Sequence, residues 1–307
     1  MLNAPKSACA PSLGSLDGLR ETVASLPRHP YVCVYASQVA MCIGCNRHKK
    51  VSDAVLLMWE RISPVTFREA MRRNNLRTDE DVLKSLVEAS GEVRALVDKS
   101  LANAESSSEV AACYQGAASE LEHAVELDEQ ERQVVDAAVK KNLYTAYGTR
   151  AEAEMLQYIQ DVLCIPCHTD PTFYKAYMGE VEGVPWYVGG KIDALSDDGH
   201  LLIEIKNRVN RLFYRAPAYE AVQVQTYLEL LDIQHGALVE CFKADSGAVQ
   251  TNVIPIARDK AFWKHEVVPK MRRFVTFLLR LLRDPATQDA FLKSKRPSAM
   301  VTQAALS

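Results

Sequence analysis

The sequence lacks the features that would place the chain in a membrane or send it out of the cell. No apolar run approaches the roughly 20 residues that a membrane-spanning helix needs. Residues 1–18 contain no basic region followed by an apolar stretch, which is the pattern of a secretory signal. We therefore expect an intracellular protein, in the cytoplasm or nucleus, with no membrane partner.

The sequence also lacks the strong positive charge that is typical of many nucleic-acid-binding proteins. Its 36 Lys and Arg residues against 39 Asp and Glu residues give a formal net charge of −3. Phosphate contacts depend on local basic clusters rather than on the total charge. Such clusters occur at residues 47–50, 72–73, 206–215, 270–273 and 293–296. Each cluster is equally typical of a solvated surface, so charge alone leaves nucleic acid open as a partner.

Cysteine spacing leaves two interpretations open. Eight cysteines in an intracellular chain indicate reduced thiols rather than a disulfide framework. Two pairs have CxxC spacing, Cys42 with Cys45 and Cys164 with Cys167. This spacing is typical of Zn²⁺ ligands, because two thiolates on one tight turn can bind the same ion. The alternative is that these are buried free cysteines, which are the commoner outcome.

The order of helix and strand patterns predicts the fold class. Residues 1–30 are interpreted as a leader, and residues 31–145 as a helical N-terminal region that begins with a short β-prone run. Helices are expected over 120–141, 149–163, 219–231 and 260–283, with strands over 172–181, 185–195, 200–206, 236–243 and 249–256. This order predicts an α/β (α+β) core over residues 146–307.

One predicted hairpin gathers the residues that carry chemistry. Asp193 lies near the end of one strand, and Glu204 and Lys206 lie on the next, across the turn at 196–199. Residues two apart on a strand face the same side, and strand pairing can place Asp193 beside them. Two carboxylates and an ammonium group are therefore expected in one cleft. The alternative is a solvent-facing strand with an incidental ion pair.

Phosphodiester hydrolysis needs this combination of groups. Negative charge develops on the attacking, departing and non-bridging oxygens, and hard divalent cations stabilise it and lower the pKa of a bound water. Mg²⁺ prefers oxygen ligands. We therefore predict Asp193 and Glu204 as metal ligands, the Ile205 carbonyl as a further ligand, and Lys206 as the group that positions the nucleophile.

Two flanking helices supply further candidates. Glu152, in the first turn of the predicted helix 149–163, is a candidate third ligand, with Glu154 as the fallback. Its alternative role is a favourable charge near a helix N-terminus. Gln223, on the helix that follows the basic segment 206–215, is a candidate for binding a phosphate oxygen, or else a surface amide.

This order of motifs resembles the PD-(D/E)xK nuclease superfamily. Within it the chain looks most like the viral recombinase exonucleases, the group that contains phage lambda exonuclease and the YqaJ-type proteins. The matching segments are residues 148–152, 190–195, 202–206 and 223–225, with a further match at 35–40 followed by Gly44 and Asn46. The resemblance implies a restriction-endonuclease-like core, in which a central mixed β-sheet is flanked by helices.

The resemblance also implies an activity and partners. It implies Mg²⁺-dependent digestion of linear duplex DNA, 5′ to 3′, in recombination, repair or viral genome processing, with Mn²⁺ as a substitute. A ring-shaped homo-oligomer and a single-strand annealing protein are the implied partners. The catalytic roles fall on Asp193, Glu204, Lys206 and Gln223, and metal binding extends to Glu152. Ser37, near the DNA end, and Arg208 and Arg211, in the basic segment, are the expected DNA contacts.

Departures from the family pattern keep alternatives open. Residues 29–34 contain no arginine for a terminal phosphate, and Asn207 and Arg208 follow Lys206 where a small residue and often a proline are expected. Polarity and end preference are therefore open. A structure-specific or nicking endonuclease on the same core, a catalytically inert DNA-binding protein and a zinc-stabilised interaction module are the alternatives.

Overall fold

The structure, a computed structural model, describes residues 31–101, 106–123, 127–244 and 246–304. The predicted leader at residues 1–30 lies outside them. The strands are β1 (Val32–Tyr35), β2 (Cys167–His168), β3 (Tyr174–Val181), β4 (Val184–Gly190), β5 (Ala194–Ser196), β6 (Leu201–Asn207), β7 (His235–Lys243) and β8 (Val249–Ala257).

Helices precede, separate and follow these strands, and a π-helical turn at Trp263–Val267 joins α9 to α10. The helices are α1 (Ala36–Cys42), α2 (Val51–Ile62), α3 (Pro64–Arg73), α4 (Asp79–Ala89), α5 (Gly91–Lys99), α6 (Ser107–His123), α7 (Glu129–Asp161), α8 (Ala218–Leu231), α9 (Lys260–Phe262), α10 (Val268–Arg283), α11 (Pro285–Lys293) and α12 (Pro297–Thr302). Within the described residues, no helix is both long enough and apolar enough to cross a bilayer.

The strands form mixed sheets flanked by helices, which confirms the predicted fold class. One sheet has the order β1-β4-β3, with β1 parallel to β4, and the other has the order β2-β5-β6-β7-β8, with β6 parallel to β7. The sequence predicted one strand over 185–195, but that segment divides into β4 and β5, which belong to different sheets. The break follows Gly190, where an added Cβ would lie 2.8 Å from the Tyr227 ring.

Helix α7 joins two helices that the sequence predicted separately. It runs for 33 residues from an Asp128 N-cap and passes through Gly148, although glycine inside a helix costs about 1 kcal/mol relative to alanine. Tyr147 packs in one apolar cluster, and Met155, further along the helix, packs in another. Burial on both sides of Gly148 therefore outweighs its low helix propensity. The predicted division at 145/146 falls inside this helix.

Strand β6 lies between α7 and α8, and this sandwich positions the candidate site. Its residues Ile203 and Ile205 pack in an apolar cluster with Met155 of α7. On the opposite face, Leu202 packs with Leu228 of α8. Because side chains alternate along a strand, residues 204 and 206 share the face of Leu202, toward α8.

Candidate active site

The structure brings the three central predicted residues together. Ala194 pairs with Ile203 across β5 and β6, and one further step in this register places Asp193 opposite Glu204. The Asp193 carboxylate accepts a 2.7 Å hydrogen bond from the backbone N–H of Ile205. Lys206 Nζ donates to Glu204 Oε1 at 2.6 Å. The hairpin thus places two carboxylates and one ammonium group side by side.

Gln223 joins the same group from α8. Its amide nitrogen donates to Glu204 Oε1 at 2.7 Å, so Lys206 and Gln223 share one oxygen of this carboxylate. Glu204 is only 1% exposed, and its other oxygen, Oε2, is buried without a hydrogen-bond partner. Buried polar atoms are nearly always partnered in folded proteins. A bound ligand would therefore supply the partner that Glu204 Oε2 lacks.

Burial and mutual repulsion perturb the acids. Burial raises the pKa of Glu204 to about 7 in spite of the opposing charge of Lys206. Burial also raises the pKa of Glu152 to about 7, and the charge of Asp193 and a hydrogen bond between the two carboxyl groups add to this effect. For Lys206, burial acts to lower the pKa, but Glu204 and Asp193 outweigh it and raise the pKa, so the ammonium stays charged.

The donor set fits a hard divalent cation. Three carboxyl groups against one ammonium leave the site with excess negative charge when all are ionised, and oxygen ligands suit Mg²⁺. No three His, Cys, Asp or Glu side chains of the described residues already stand at metal-binding positions. Glu152 is instead hydrogen-bonded to Asp193, and Glu204 accepts hydrogen bonds from Lys206 and Gln223. A cation would therefore replace the contact between Glu152 and Asp193 and occupy the free position at Glu204 Oε2.

Two of the three residues predicted to contact DNA are exposed. Ser37 is exposed near the start of α1, and Arg211 is exposed on the loop between β6 and α8. Arg211 lines an open cleft of about 810 Å³ together with Arg47 and Arg215. The cleft reaches Tyr219 in the first turn of α8, four residues before Gln223, and residues four apart on a helix are neighbours. This cleft therefore adjoins the candidate site.

Arg208, the third residue predicted to contact DNA, is buried rather than exposed. Its guanidinium donates to both carboxylate oxygens of Glu220 at 2.7 and 2.6 Å and to Glu240 Oε1 at 2.9 Å. Glu240 also accepts the backbone N–H groups of Phe213 and Tyr214. The sequence reasoning missed both acids, although the carboxylate of Glu240 within the otherwise apolar strand β7 was a signal of a buried partner.

The four CxxC cysteines do not form the predicted zinc site in the described part of the chain. Cys42 is buried in the apolar cluster around α1 and α2, whereas Cys167 is buried in the cluster between α7 and β6. No metal-binding group that includes them is found among the described residues. Burial raises the pKa of both thiols.

Replacing Glu152 by glutamine is expected to stabilise the metal-free protein at pH 8 but not at pH 5. The folded state raises the pKa of Glu152 from an ordinary 4.5 to about 7. Between these values the folded protein binds more protons than the unfolded chain, so stability falls as pH rises. Glu152→Gln removes that loss.

Thermal unfolding in a chelator at both pH values measures this effect. Glu154→Gln, on the exposed side of the same helix, is the matched control. An equal change in Tm at pH 5 and pH 8 would show that the folded state does not raise the pKa of Glu152.

Comparison with known proteins finds similarity of fold alone. No protein-family model matches the chain, and no curated protein matches its sequence. An alkaline exonuclease from Laribacter hongkongensis is 18% identical, with a TM-score of 0.36, over 57% of this chain and 93% of that one. A phage-related exonuclease from Haemophilus somnus 129PT is 12% identical, with a TM-score of 0.39, over 81% of this chain and 96% of that one. At these values the likenesses carry no activity to this chain, whose function is argued from its own residues.

Proposed function

We propose that the chain is a Mg²⁺-dependent deoxyribonuclease that hydrolyses phosphodiester bonds of linear duplex DNA. The observation that carries this proposal is the convergence of Asp193, Lys206 and Gln223 around the buried carboxylate of Glu204. An incidental ion pair on a solvent-facing strand would have left Glu204 exposed, whereas it is buried with one oxygen free.

Each residue of the site has a proposed role. Asp193 and Glu204 hold the cation, with Glu152 and the Ile205 carbonyl as further oxygen donors. When bound, Mg²⁺ supplies charge stabilisation for the phosphate oxygens and activation of the attacking water. Lys206 stays charged and orients the nucleophile. Gln223 fixes the Glu204 carboxylate from α8 and offers its amide to a phosphate oxygen.

The narrower form of the proposal is an exonuclease that digests one strand 5′ to 3′. This form is supported by the motif order in residues 148–225 and by the exposed position of Ser37 at the start of α1. A ring of identical subunits around DNA and a single-strand annealing protein as partner belong to the same proposal, with a role in recombination, repair or viral genome processing.

Digestion of end-labelled DNA tests the function. We expect the purified chain to shorten linear duplex in Mg²⁺ or Mn²⁺, to be inactive in chelator, and to leave covalently closed circles intact. Separate labels on the two 5′ ends and the two 3′ ends report polarity. Cleavage of closed circles would identify an endonuclease instead. Binding of DNA without any hydrolysis in either metal would indicate an inert DNA-binding protein.

Arg211→Ala and Arg215→Ala are each expected to weaken DNA binding and to make it less dependent on salt. These exposed arginines line the cleft next to α8, and each phosphate contact contributes about 0.9 to the slope of log affinity against log salt. Binding of duplex DNA in chelator, titrated across salt concentrations, measures the slope. Arg94→Ala, on the exposed surface of α5, is the matched control. If both cleft variants keep the parent slope of log affinity against log salt, the cleft does not contact DNA.

A further inference from the structure

The three-stranded sheet carries exposed aromatic side chains on the side that faces away from the core. Four of them are large exposed rings, with Tyr31 at 46%, Tyr35 at 40%, Phe173 at 44% and Tyr177 at 58% exposure. Tyr187 of β4 lies among them, paired with Tyr177 of β3. The aromatic face, as we define it, consists of Tyr31, Tyr35, Phe173, Lys175, Tyr177 and Tyr187.

Cations and rings are arranged on this face in contact with one another. Lys175 Nζ lies 3.8 Å from the centre of the Tyr31 ring and 3.9 Å from that of Tyr187. At the other end, the Arg61 guanidinium lies 4.1 Å from the centre of the Tyr35 ring. Cation–π contacts of this kind hold the rings in place, and Lys175 remains exposed between its two rings.

A glycine keeps the face flat where Phe173 crosses β4. A Cβ added at Gly189 would lie 2.8 Å from the Phe173 ring and 2.7 Å from the Tyr174 carbonyl oxygen. The Phe173 ring thus lies directly on the strand, edge-on to Tyr35 at a centroid distance of 5.9 Å. The aromatic face is a packed surface rather than a set of scattered exposed side chains.

Lys175 gives the centre of the face a positive charge, while the Glu180 carboxylate lies beside Tyr177. Lys175 forms no ion pair with a carboxylate within the described ranges, whereas Arg61 donates hydrogen bonds to the Cys33 carbonyl and to Gln38. Protein–protein interfaces are rich in tyrosine but depleted in lysine, particularly at their centres, whereas Lys175 lies between two rings of the face. An unneutralised cation among exposed rings is instead the combination that binds phosphate and nucleobases together.

The aromatic face is close in sequence to residues of the candidate active site. Tyr187 lies six residues before Asp193, a span of at most about 20 Å along an extended strand. Tyr35 ends β1 and directly precedes α1, which carries Ser37. The end of the face at Tyr187 therefore lies within about 20 Å of Asp193.

We propose that the aromatic face binds unpaired nucleotides of the DNA substrate by stacking their bases on its rings. Bases of a duplex are stacked on each other, so only a single-stranded segment presents base faces to a protein surface. Lys175 binds a phosphate between these bases, and Arg61 holds the Tyr35 ring in place. The inference rests on the proposed DNA nuclease function and specifies that the substrate has, or acquires, a single-stranded segment.

Fluorescence anisotropy with a short labelled oligothymidylate tests this site. Binding is measured in chelator, so it does not depend on whether the active site hydrolyses DNA. The double variant Tyr31→Ala/Tyr177→Ala is expected to bind about ten-fold or more weakly, because each base–ring stack contributes substantially to affinity. Tyr31→Phe/Tyr177→Phe keeps the rings and is expected to bind as the parent chain does. Near-UV circular dichroism confirms that both variants are folded.

Three results would overturn the inference. The first is an affinity for oligothymidylate that is equal in the alanine and phenylalanine variants. The second is a parent chain that binds no single-stranded DNA. The third is loss of self-association in the alanine variant, by sedimentation velocity, with DNA affinity unchanged, which would make the face a subunit interface. Absence of hydrolysis in Mg²⁺ with ring-dependent binding retained would overturn the nuclease proposal and support the face.

Discussion

Lys206→Ala and Asp193→Ala are each expected to lower the rate of Mg²⁺-dependent hydrolysis of linear duplex DNA by about 10³-fold or more. Removing Lys206 deletes the ammonium that orients the nucleophile and leaves the buried Glu204 carboxylate without its counter-charge. Removing Asp193 deletes a cation ligand and the acceptor for the Ile205 N–H. The rate is measured as release of label from DNA ends under single-turnover conditions.

Two matched variants separate chemistry from folding. Lys243→Ala removes a lysine from the adjacent strand β7, and Asp197→Ala removes an exposed carboxylate from the turn of the same hairpin. Both controls are expected to retain activity within a few-fold of the parent chain. Activity of Lys206→Ala at the level of these controls, with the fold intact, would contradict the assigned site.

Arg208→Ala is expected to reduce the free energy of unfolding by about 3–5 kcal/mol, because it leaves buried carboxylates without a counter-charge. Arg208 joins Glu220 at the start of α8 to Glu240 on β7, an interior strand of the five-stranded sheet. The same contact fixes α8, and hence Gln223, against β6. The rate of DNA hydrolysis should therefore fall as well, although the buried Arg208 is not expected to contact the substrate.

Urea unfolding of the metal-free protein measures this loss. Arg73→Ala, which breaks a partly exposed pair with Asp289, is the matched control and is expected to cost no more than about 1 kcal/mol. A cost for Arg208→Ala as small as that of the control would mean that the buried pairs do not hold α8 in place.

The sequence predicted the hairpin because the signals for it are local. Alternation along β6 separates Glu204 and Lys206 from Ile203 and Ile205, and the turn at 196–199 sets which strand lies opposite. These two facts suffice to place Asp193 beside Glu204. The placement of Gln223 followed from the α8 pattern, since a helix after the basic loop packs back on the strand it follows.

The errors arose where distant contacts decide the structure. The basic segment around Arg208 is typical of a solvated surface. Arg208 is buried because it pairs with Glu220 and Glu240, which are 12 and 32 residues away in the sequence. The glycine at position 148 favours a helix end in the sequence. Helix α7 nevertheless continues through it, because residues on both sides are buried in apolar clusters. The split of the sheet at Gly190 depends on the approach of Tyr227, which no local pattern records.

Anomalous diffraction from crystals of the protein soaked in Mn²⁺ tests the proposed metal site directly. We predict a manganese peak between the carboxylates of Asp193 and Glu204, within ligand distance of Glu152 or of the Ile205 carbonyl oxygen. The same soak of Asp193→Ala crystals should show no peak there. A parent crystal that binds Mn²⁺ elsewhere, with Glu204 still hydrogen-bonded to Lys206 and Gln223, would contradict the proposed active site.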